Sequence, residues 1–367
     1  METTTAAQVQ VSSEFGDAEW DDFVGSASGA TSAHLIEWRD LIRDVFGYEP
    51  VYRVARREGR ICGVLPAFVV PSVFLGRHIV SVPFTNSGGI CAAEDESRRA
   101  LLDEARNLLR THRARHFEMR CAYPPPAGIL AREHKVRIVL DLPDSADQLW
   151  ASLRGEIRNR IRRAENARLT VEFGSSDIEG FYRVFSENMR DLGIPAHPRR
   201  FFEEVKRSFG AAFCPEAFKT HSEGRGEDAA SEFVVVRYGR LTIGGAILLR
   251  FRDTVEVPWI SCSRRWFDKC PNNLLYWQLM KRACEEGLRV FDFGRSSPGT
   301  GPAVFKMRWG ARAEQLYWHY VLPPGAPLPG ETSSANPTFR LASALWKRMP
   351  RALTDSVGPR LIAHLPG

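Results

Sequence analysis

EFVVVRYGRLTIGGAILLRFRDTVEVPWISC, residues 232–262, reads as three consecutive strands joined by tight polar turns. Its runs are rich in Val, Ile, Leu and Phe, and none is long enough for an ordinary helix. A helical pattern follows over 272–286 and a further strand at LRVFDFG, residues 288–294. Upstream of the three strands lie helical patterns near 145–167 and 177–191. The first part of the chain repeats this order. Helices near 17–26 and 33–45 precede strand-like VYRVARR, ICGVLPAFVV and RHIVSVPF; a helix near 95–112 and the strand HFEMRC come next. A strand near 136–140 separates the two passages. Helices, antiparallel meander, helix, strand, twice over, is an α+β order and implies two domains of one architecture in tandem, mixed sheets flanked by helices. The expected divisions are 1–16 disordered, 17–143 and 144–322 as the two domains, and 323–367 as a linker with a helical tail.

Composition sets outer bounds. The chain has 367 residues, 44% apolar and 26% charged, which suits a globular protein of two domains. No run of about 18 apolar residues occurs, so no membrane span is expected, and the N-terminal stretch lacks the basic flank and apolar core of a signal peptide. Seven cysteines are scattered without a CxxC, which points to reduced thiols, packed mostly as small core residues, in the cytoplasm. The nine histidines show no metal-ligand spacing, so neither a metal nor a bound cofactor is expected. A net charge of +6 suits an anionic partner without choosing among nucleic acid, nucleotide-sugar and anionic lipid.

The positive charge is concentrated in LWASLRGEIRNRIRRAENARLTVEFG. On one helix Leu149, Leu153, Ile157, Ile161 and Ala164 would share a stripe of about 120°, with Arg154, Arg158 and Arg162 lining a second face. Guanidinium groups grip phosphate bidentately, so this face reads as an anion clamp, with a merely solvated face as the alternative. Further on, FDFGRSSPGTGPAVFKMRWGA, residues 291–311, resists the standard motifs. Gly294-Arg295-Ser296-Ser297-Pro298 lacks the last glycine of a nucleophile elbow, and Thr300 stands where a phosphate-binding loop has its lysine. What remains is a strand ending in Asp292, a loop of glycine and proline, the pair Phe305-Lys306 and an aromatic strand over 309–320.

Together these segments resemble the FemAB/FemX-like peptidyltransferases of the GNAT acyltransferase superfamily, and most closely the FemAB-like proteins of exosortase/PEP-CTERM systems. The resemblance runs through SLRGEIRNRIRRAENARLTVEFG, ENMRDLGIPAHPRRFFEEV, the stretch from FRDTVEVPWISC to FKMRWGA, and the LWKRMP and VGPRL of the tail, over roughly residues 20–365. It implies tandem GNAT-like domains, acyl-CoA N-acyltransferase-like in fold, and transfer of an acyl group, or of an aminoacyl group from tRNA, to an amine. The family's catalytic Phe-Lys pair falls on Phe305 and Lys306. On this reading the Lys306 ammonium stabilises the oxyanion or leaving group, Phe305 shapes its pocket, and Asp292 positions the donor or relays a proton. Arg295, Tyr276, the Arg154, Arg158 and Arg162 face, and Asn86 in the PFTNSGGI loop of the first domain are the expected substrate contacts. Capping, pairing and core packing are the structural alternatives for Asp292, Arg295 and Tyr276.

Acyl-CoA-dependent GNAT enzymes carry a glycine-rich turn before a helix, where backbone N–H groups cradle pyrophosphate. Here SRRWFDKCPNNLLYW has no glycine from Ser261 to Trp277, which disfavours acyl-CoA, although Arg264, Arg265 and Lys269 could meet a phosphate there. No sustained heptad run offers the coiled-coil arm of the peptidoglycan-bridge enzymes, so the tRNA donor stays an expectation. The expected acceptor is a nucleotide-sugar or muropeptide-like molecule, an amine of a cell-envelope or exopolysaccharide precursor, and the expected site is in the second domain beside the interdomain cleft. Two alternatives stay open: an acyl-CoA-dependent N-acyltransferase, and a non-catalytic module binding sugar phosphate or nucleic acid. The tail FRLASALWKRMPRALTDSVGPRLIAHL reads as a helix docked on the body, or as a peripheral contact with the inner face of a membrane.

Overall fold

The computed structural model describes residues 8–73, 76–210, 231–329 and 337–365. Residues 1–7, the greater part of the expected disordered start, and Cys214 lie outside the described residues. The chain forms two compact units. The first takes Met1–His134, Leu316–Pro329 and His364–Gly367; the second takes Lys135–Gln315 and Gly330–Ala363. The first division therefore falls at His134/Lys135, before the 143/144 expected, and the tail belongs to the second unit up to Ala363.

The first unit begins with β1 (Gln10–Ser12), α1 (Asp17–Ser26), α2 (Glu37–Phe46) and β2 (Glu49–Pro50). Five short strands follow, β3 (Arg53–Arg57), β4 (Arg60–Leu65), β5 (Phe68–Ser72), β6 (Gly76–Val80) and β7 (Cys91–Ala92), then α3 (Asp95–Thr111) and β8 (Phe117–Cys121). β1 corrects the expectation of disorder at 10–12. It pairs antiparallel with β3, and its alternation lets Val9 and Val11 pack on the core. ICGVLPAFVV is likewise two strands rather than one. The break falls at Pro66, which has no N–H for a ladder, so β4 joins β1, β3 and β7 in one sheet while β5 pairs with β6 in another. β6 and β8 are parallel, joined through α3.

β9 (Leu130–Asp141) leads into the second unit, which continues with α4 (Ala146–Ser152), α5 (Gly155–Asn166), β10 (Leu169–Phe173), α6 (Ile178–Leu192) and α7 (Arg199–Gly210). The meander is β11 (Ser231–Tyr238), β12 (Leu241–Phe251) and β13 (Thr254–Cys262). After it come α8 (Pro271–Glu285), β14 (Val290–Ser296), α9 (Gly301–Met307), β15 (Arg312–Val321), whose residues from Leu316 on belong to the first unit, α10 (Pro337–Arg348) and α11 (Arg351–Ile362). The sheet runs β10-β11-β12-β13-β14-β9, antiparallel throughout except for β13 against β14. A meander, a crossover helix and a final parallel strand therefore occur in both units, through α3 in one and α8 in the other.

The expected helix over 145–167 is broken at Leu153 and Arg154, both with extended ψ near 140°. Its apolar stripe still holds, because Leu149, Leu153, Ile157, Ile161 and Ala164 are all buried in the core of the second unit. That core, with Leu275, Met280, Phe291 and Phe293 fully enclosed, fixes α5 and α8 against the sheet. Each fully buried side chain of this size contributes about 1.5–3 kcal/mol. α6 is anchored at its start, where the Asp177 side chain accepts from Gly180 N at 2.8 Å and from Thr242 Oγ1 at 2.5 Å.

Candidate active site

β13 and β14 are hydrogen-bonded only from Thr254–Val290 to Glu256–Asp292. β13 then runs on to Cys262 and β14 to Ser296, so the two parallel strands part where Asp292 sits. On its other edge β14 loses register with β9 between Asp292 and Arg295, and Gly294 adopts φ 75°, a conformation that glycine alone takes without strain. The backbone of Gly294 and Arg295 is thus turned out of the ladder at the mouth of the parting.

Three charged groups converge on that turn. Asp292, 4% exposed, accepts from Arg137 Nε at 2.6 Å through Oδ2 and from Gly294 N at 2.7 Å through Oδ1. Lys306, 9% exposed, donates from Nζ to Gly294 O at 3.4 Å and Arg295 O at 3.3 Å. Burial pulls the Lys306 amine down to about 8; the Asp292 charge opposes this and the Arg295 charge adds to it. Burial raises the Asp292 carboxyl, against the pull of Arg137, the Gly294 N–H and Lys306. The result is an amine that is mostly protonated at neutral pH yet can release its proton near pH 8.

Lys306 stands on a helix, which corrects the reading of its surroundings as a loop running into a strand. Thr300 is the N-cap of α9 and Pro302 lies in its first turn, where a proline's missing N–H is harmless. Phe305 packs 5.7 Å from the ring of Tyr276 and 6.3 Å from that of Trp309. Tyr276 is buried in the same core, 5.1 Å from Phe293, so it forms the floor beneath Phe305. Among the described residues, Ser296 Oγ and Trp309 Nε1 are buried with no hydrogen-bond partner, in the segments flanking Lys306. Lys135 Nζ donates to Ser297 Oγ at 2.7 Å and ties the next residue of this loop to β9.

A family model for the acetyltransferase (GNAT) domain matches residues 151–307, a span that runs from the arginine-rich helix to just past Lys306. The second unit thus contains a GNAT domain over that span. Solved structures similar in fold include FemX, with 16% identity, 84% of this chain and 96% of that chain covered, and a TM-score of 0.61. The C-terminal domain of a putative lysylphosphatidylglycerol synthetase from Agrobacterium fabrum matches at 13% identity over 90% of this chain and 95% of its own, with a TM-score of 0.52. A tandem GNAT protein from the clavulanic acid biosynthesis pathway matches at 11% identity, covering 85% and 98%, also with a TM-score of 0.52. No curated protein sequence matches the chain. The tandem GNAT arrangement expected from the sequence is thus the observed fold.

Within the GNAT domain the arginine face lies beside the Lys306 helix, since Glu156 of α5 reaches Arg308 at 3.6 Å. Arg154 is exposed at the N-cap of α5, and Arg162 is exposed above the ring of Trp150 at 5.6 Å. Arg158 donates to Ala151 O at 3.2 Å, which makes it a brace for the break between α4 and α5. Arg295 is half-buried; burial, with the Arg295 charge adding to it, drives the enclosed His197 down to about 3. Asn86 belongs to the first unit, in a loop held by its own atoms: Thr85 Oγ1 donates within 2.8 Å of Val82 O and Ser87 O, Ser87 Oγ meets Thr31 Oγ1 at 3.1 Å, and Arg120 donates to Thr85 O at 2.9 Å. The hydroxyls of its neighbours Thr85 and Ser87 are thereby engaged within the protein.

Sequence reasoning missed Arg137, Lys135 and His197. Arg137 sits between Val136 and Ile138 in a strand of alternating character, where an arginine ordinarily marks the solvent face. Only the register of β9 on β14 brings it to Asp292. Among the described residues no helix is long and apolar enough to cross a membrane.

Proposed function

We propose that the protein transfers an acyl group of the aminoacyl class from an activated ester to an amine of a cell-envelope or exopolysaccharide precursor, with Lys306 as the catalytic residue. The observation that carries this reading is the buried Lys306 amine, poised near pH 8 at the parting of two parallel strands. The acceptor nitrogen attacks the carbonyl carbon and the carbonyl electron pair moves onto oxygen. The Lys306 ammonium stabilises that oxyanion. As the intermediate collapses, the bond from carbon to the leaving oxygen breaks. Lys306 gives its proton to that oxygen and takes one from the nitrogen, which is now an amide, so the enzyme returns to its starting state.

Both oxygens of Asp292 are engaged by Arg137 and Gly294, so its role here is positioning: it holds the Gly294–Arg295 turn and balances the charge of Lys306. Phe305 keeps water from the amine. Exposed Arg154 and Arg162 supply positive charge for a tRNA or nucleotide-sugar phosphate. The fold shared with FemX supports an aminoacyl donor. So does the turn into α8, where Cys270 at φ 56° stands in place of a glycine-rich cradle. The second reading, an acyl-CoA donor whose C–S bond breaks in the same step, is favoured by Arg264 and Arg265, exposed at that turn. Neither reading requires a bound cofactor.

The test is donor binding and label transfer by wild type and Lys306→Ala, with aminoacyl-tRNA and acyl-CoA panels against UDP-linked amino sugars and muropeptides. Transfer from one donor class that collapses in the variant while binding persists supports the proposal and selects the donor. Undiminished transfer by Lys306→Ala would remove the lysine from the chemistry, and donor binding without transfer by either protein would favour a binding module.

A further inference from the structure

The tail helices present their large apolar side chains to solvent. Leu341 and Leu345 of α10, Met349 in the break that follows, and Leu353 and Val357 of α11 recur every fourth position, and each is between 40% and 64% exposed. In α11 the pattern expected of a docked helix is inverted, since Thr354, Gly358 and Ile362 face inward while Leu353 and Val357 face out. The inner face packs on the body: Gly358 faces Ala196, where a Cβ would stand in ordinary contact at 3.4 Å, and Trp346 is buried beside it. Gly193, at φ 80°, lies against Ser343 and Lys347. The helices thus pack on the body through Trp346, Thr354, Gly358 and Ile362, with the leucines outward.

Charge decides what covers this face. Arg340, Lys347, Arg348 and Arg360 are exposed on the same two helices, and among the described residues none of them has an acidic partner. Arg348 follows Leu341 and Leu345 around α10, and Arg360 lies next to Leu353 on the α11 wheel, so cations border the apolar stripe. A protein interface between copies would set these cations against their own kind. A bilayer surface carrying anionic headgroups satisfies both halves, since the leucines enter the boundary of acyl chains and headgroups while the arginines stay among phosphates.

We propose that the outward face of α10 and α11 docks the protein on an anionic membrane surface without crossing it. The inference is independent of the transfer reaction, because its test contains no donor or acceptor. Full-length protein is sedimented with vesicles of phosphatidylcholine alone or mixed with phosphatidylglycerol, at low and high salt. Wild type should partition onto the anionic vesicles and much less onto the neutral ones, and salt should weaken the binding. The double variant Leu341→Ser/Leu345→Ser and the double variant Arg340→Glu/Arg348→Glu should each lose about tenfold or more in partitioning, with unchanged melting temperature because all four positions are exposed. Failure of the wild type to bind anionic vesicles, or binding that both variants retain, would overturn the proposal. So would a dimer in light scattering that the serine variant dissolves while vesicles take up no protein, which would assign the face to a second copy of the chain.

Discussion

Replacing Lys306 with methionine should abolish transfer and yet make the protein harder to unfold at neutral pH. Lys306 is nearly enclosed, and its amine is held down from 10.5 to about 8. That difference is about 3 kcal/mol against the charged form in the folded protein. Below about pH 8 the lysine is protonated whether the chain is folded or not, so the whole cost is present. Between about 8 and 10.5 the folded lysine has released its proton and the unfolded one has kept it, so stability rises with pH until the cost is gone. Methionine fills a similar volume without charge. It loses the Nζ contacts at 3.3 and 3.4 Å, long bonds that together contribute about 1 kcal/mol, while Asp292 keeps Arg137 at 2.6 Å. The net expectation is a gain of about 2 kcal/mol at neutral pH that fades as the pH approaches 10.5, read from urea unfolding of both proteins across that range. A variant about 1 kcal/mol less stable than wild type at neutral pH would refute the reasoning, because the lysine would then serve to hold the Gly294–Arg295 turn together.

If the ammonium is the working form, kcat/KM for transfer falls as pH rises through about 8; a rate that climbs instead would make the neutral amine a base. Arg137→Met leaves Asp292 buried without its cation and should cost about 3 kcal/mol in chemical unfolding, most of it recovered in the double variant with Asp292→Asn. Asp21, buried beside Glu37, has its carboxyl raised to about 7, so the protonated form is favoured in the fold and its contribution is lost as pH rises through about 7. Asp21→Asn keeps an acceptor for Ile36 N and should raise stability by about 2 kcal/mol above pH 7 and by almost nothing near pH 4, as thermal melts at the two pH values will read. Asp177→Ala removes the cap of α6 and its Thr242 contact and should cost about 1–2 kcal/mol, with the loss of helix signal and tertiary signal coinciding on heating.

What was legible in the sequence is what local pattern controls. β11, β12 and β13 carry their own β-branched runs and turns, and the order of meander, helix and strand needs no long-range information. α9 was hidden because glycine and proline usually end helices, and here they lie in its first turn. Lys306 itself was named by resemblance rather than by spacing, and the ion pair that steadies its surroundings joins positions 155 apart, through a register that no local pattern encodes. The tail shows the same limit from the other side. Leu353 and Val357 have the spacing of core positions, yet Thr354 and Gly358 are the ones turned inward, toward Ala196 and the buried Trp346. Periodicity counts apolar residues but does not say which face the body of the protein can receive. Tertiary packing settles that, and in this chain it leaves Leu341, Leu345 and Leu353 outside, on the face assigned above to a membrane surface.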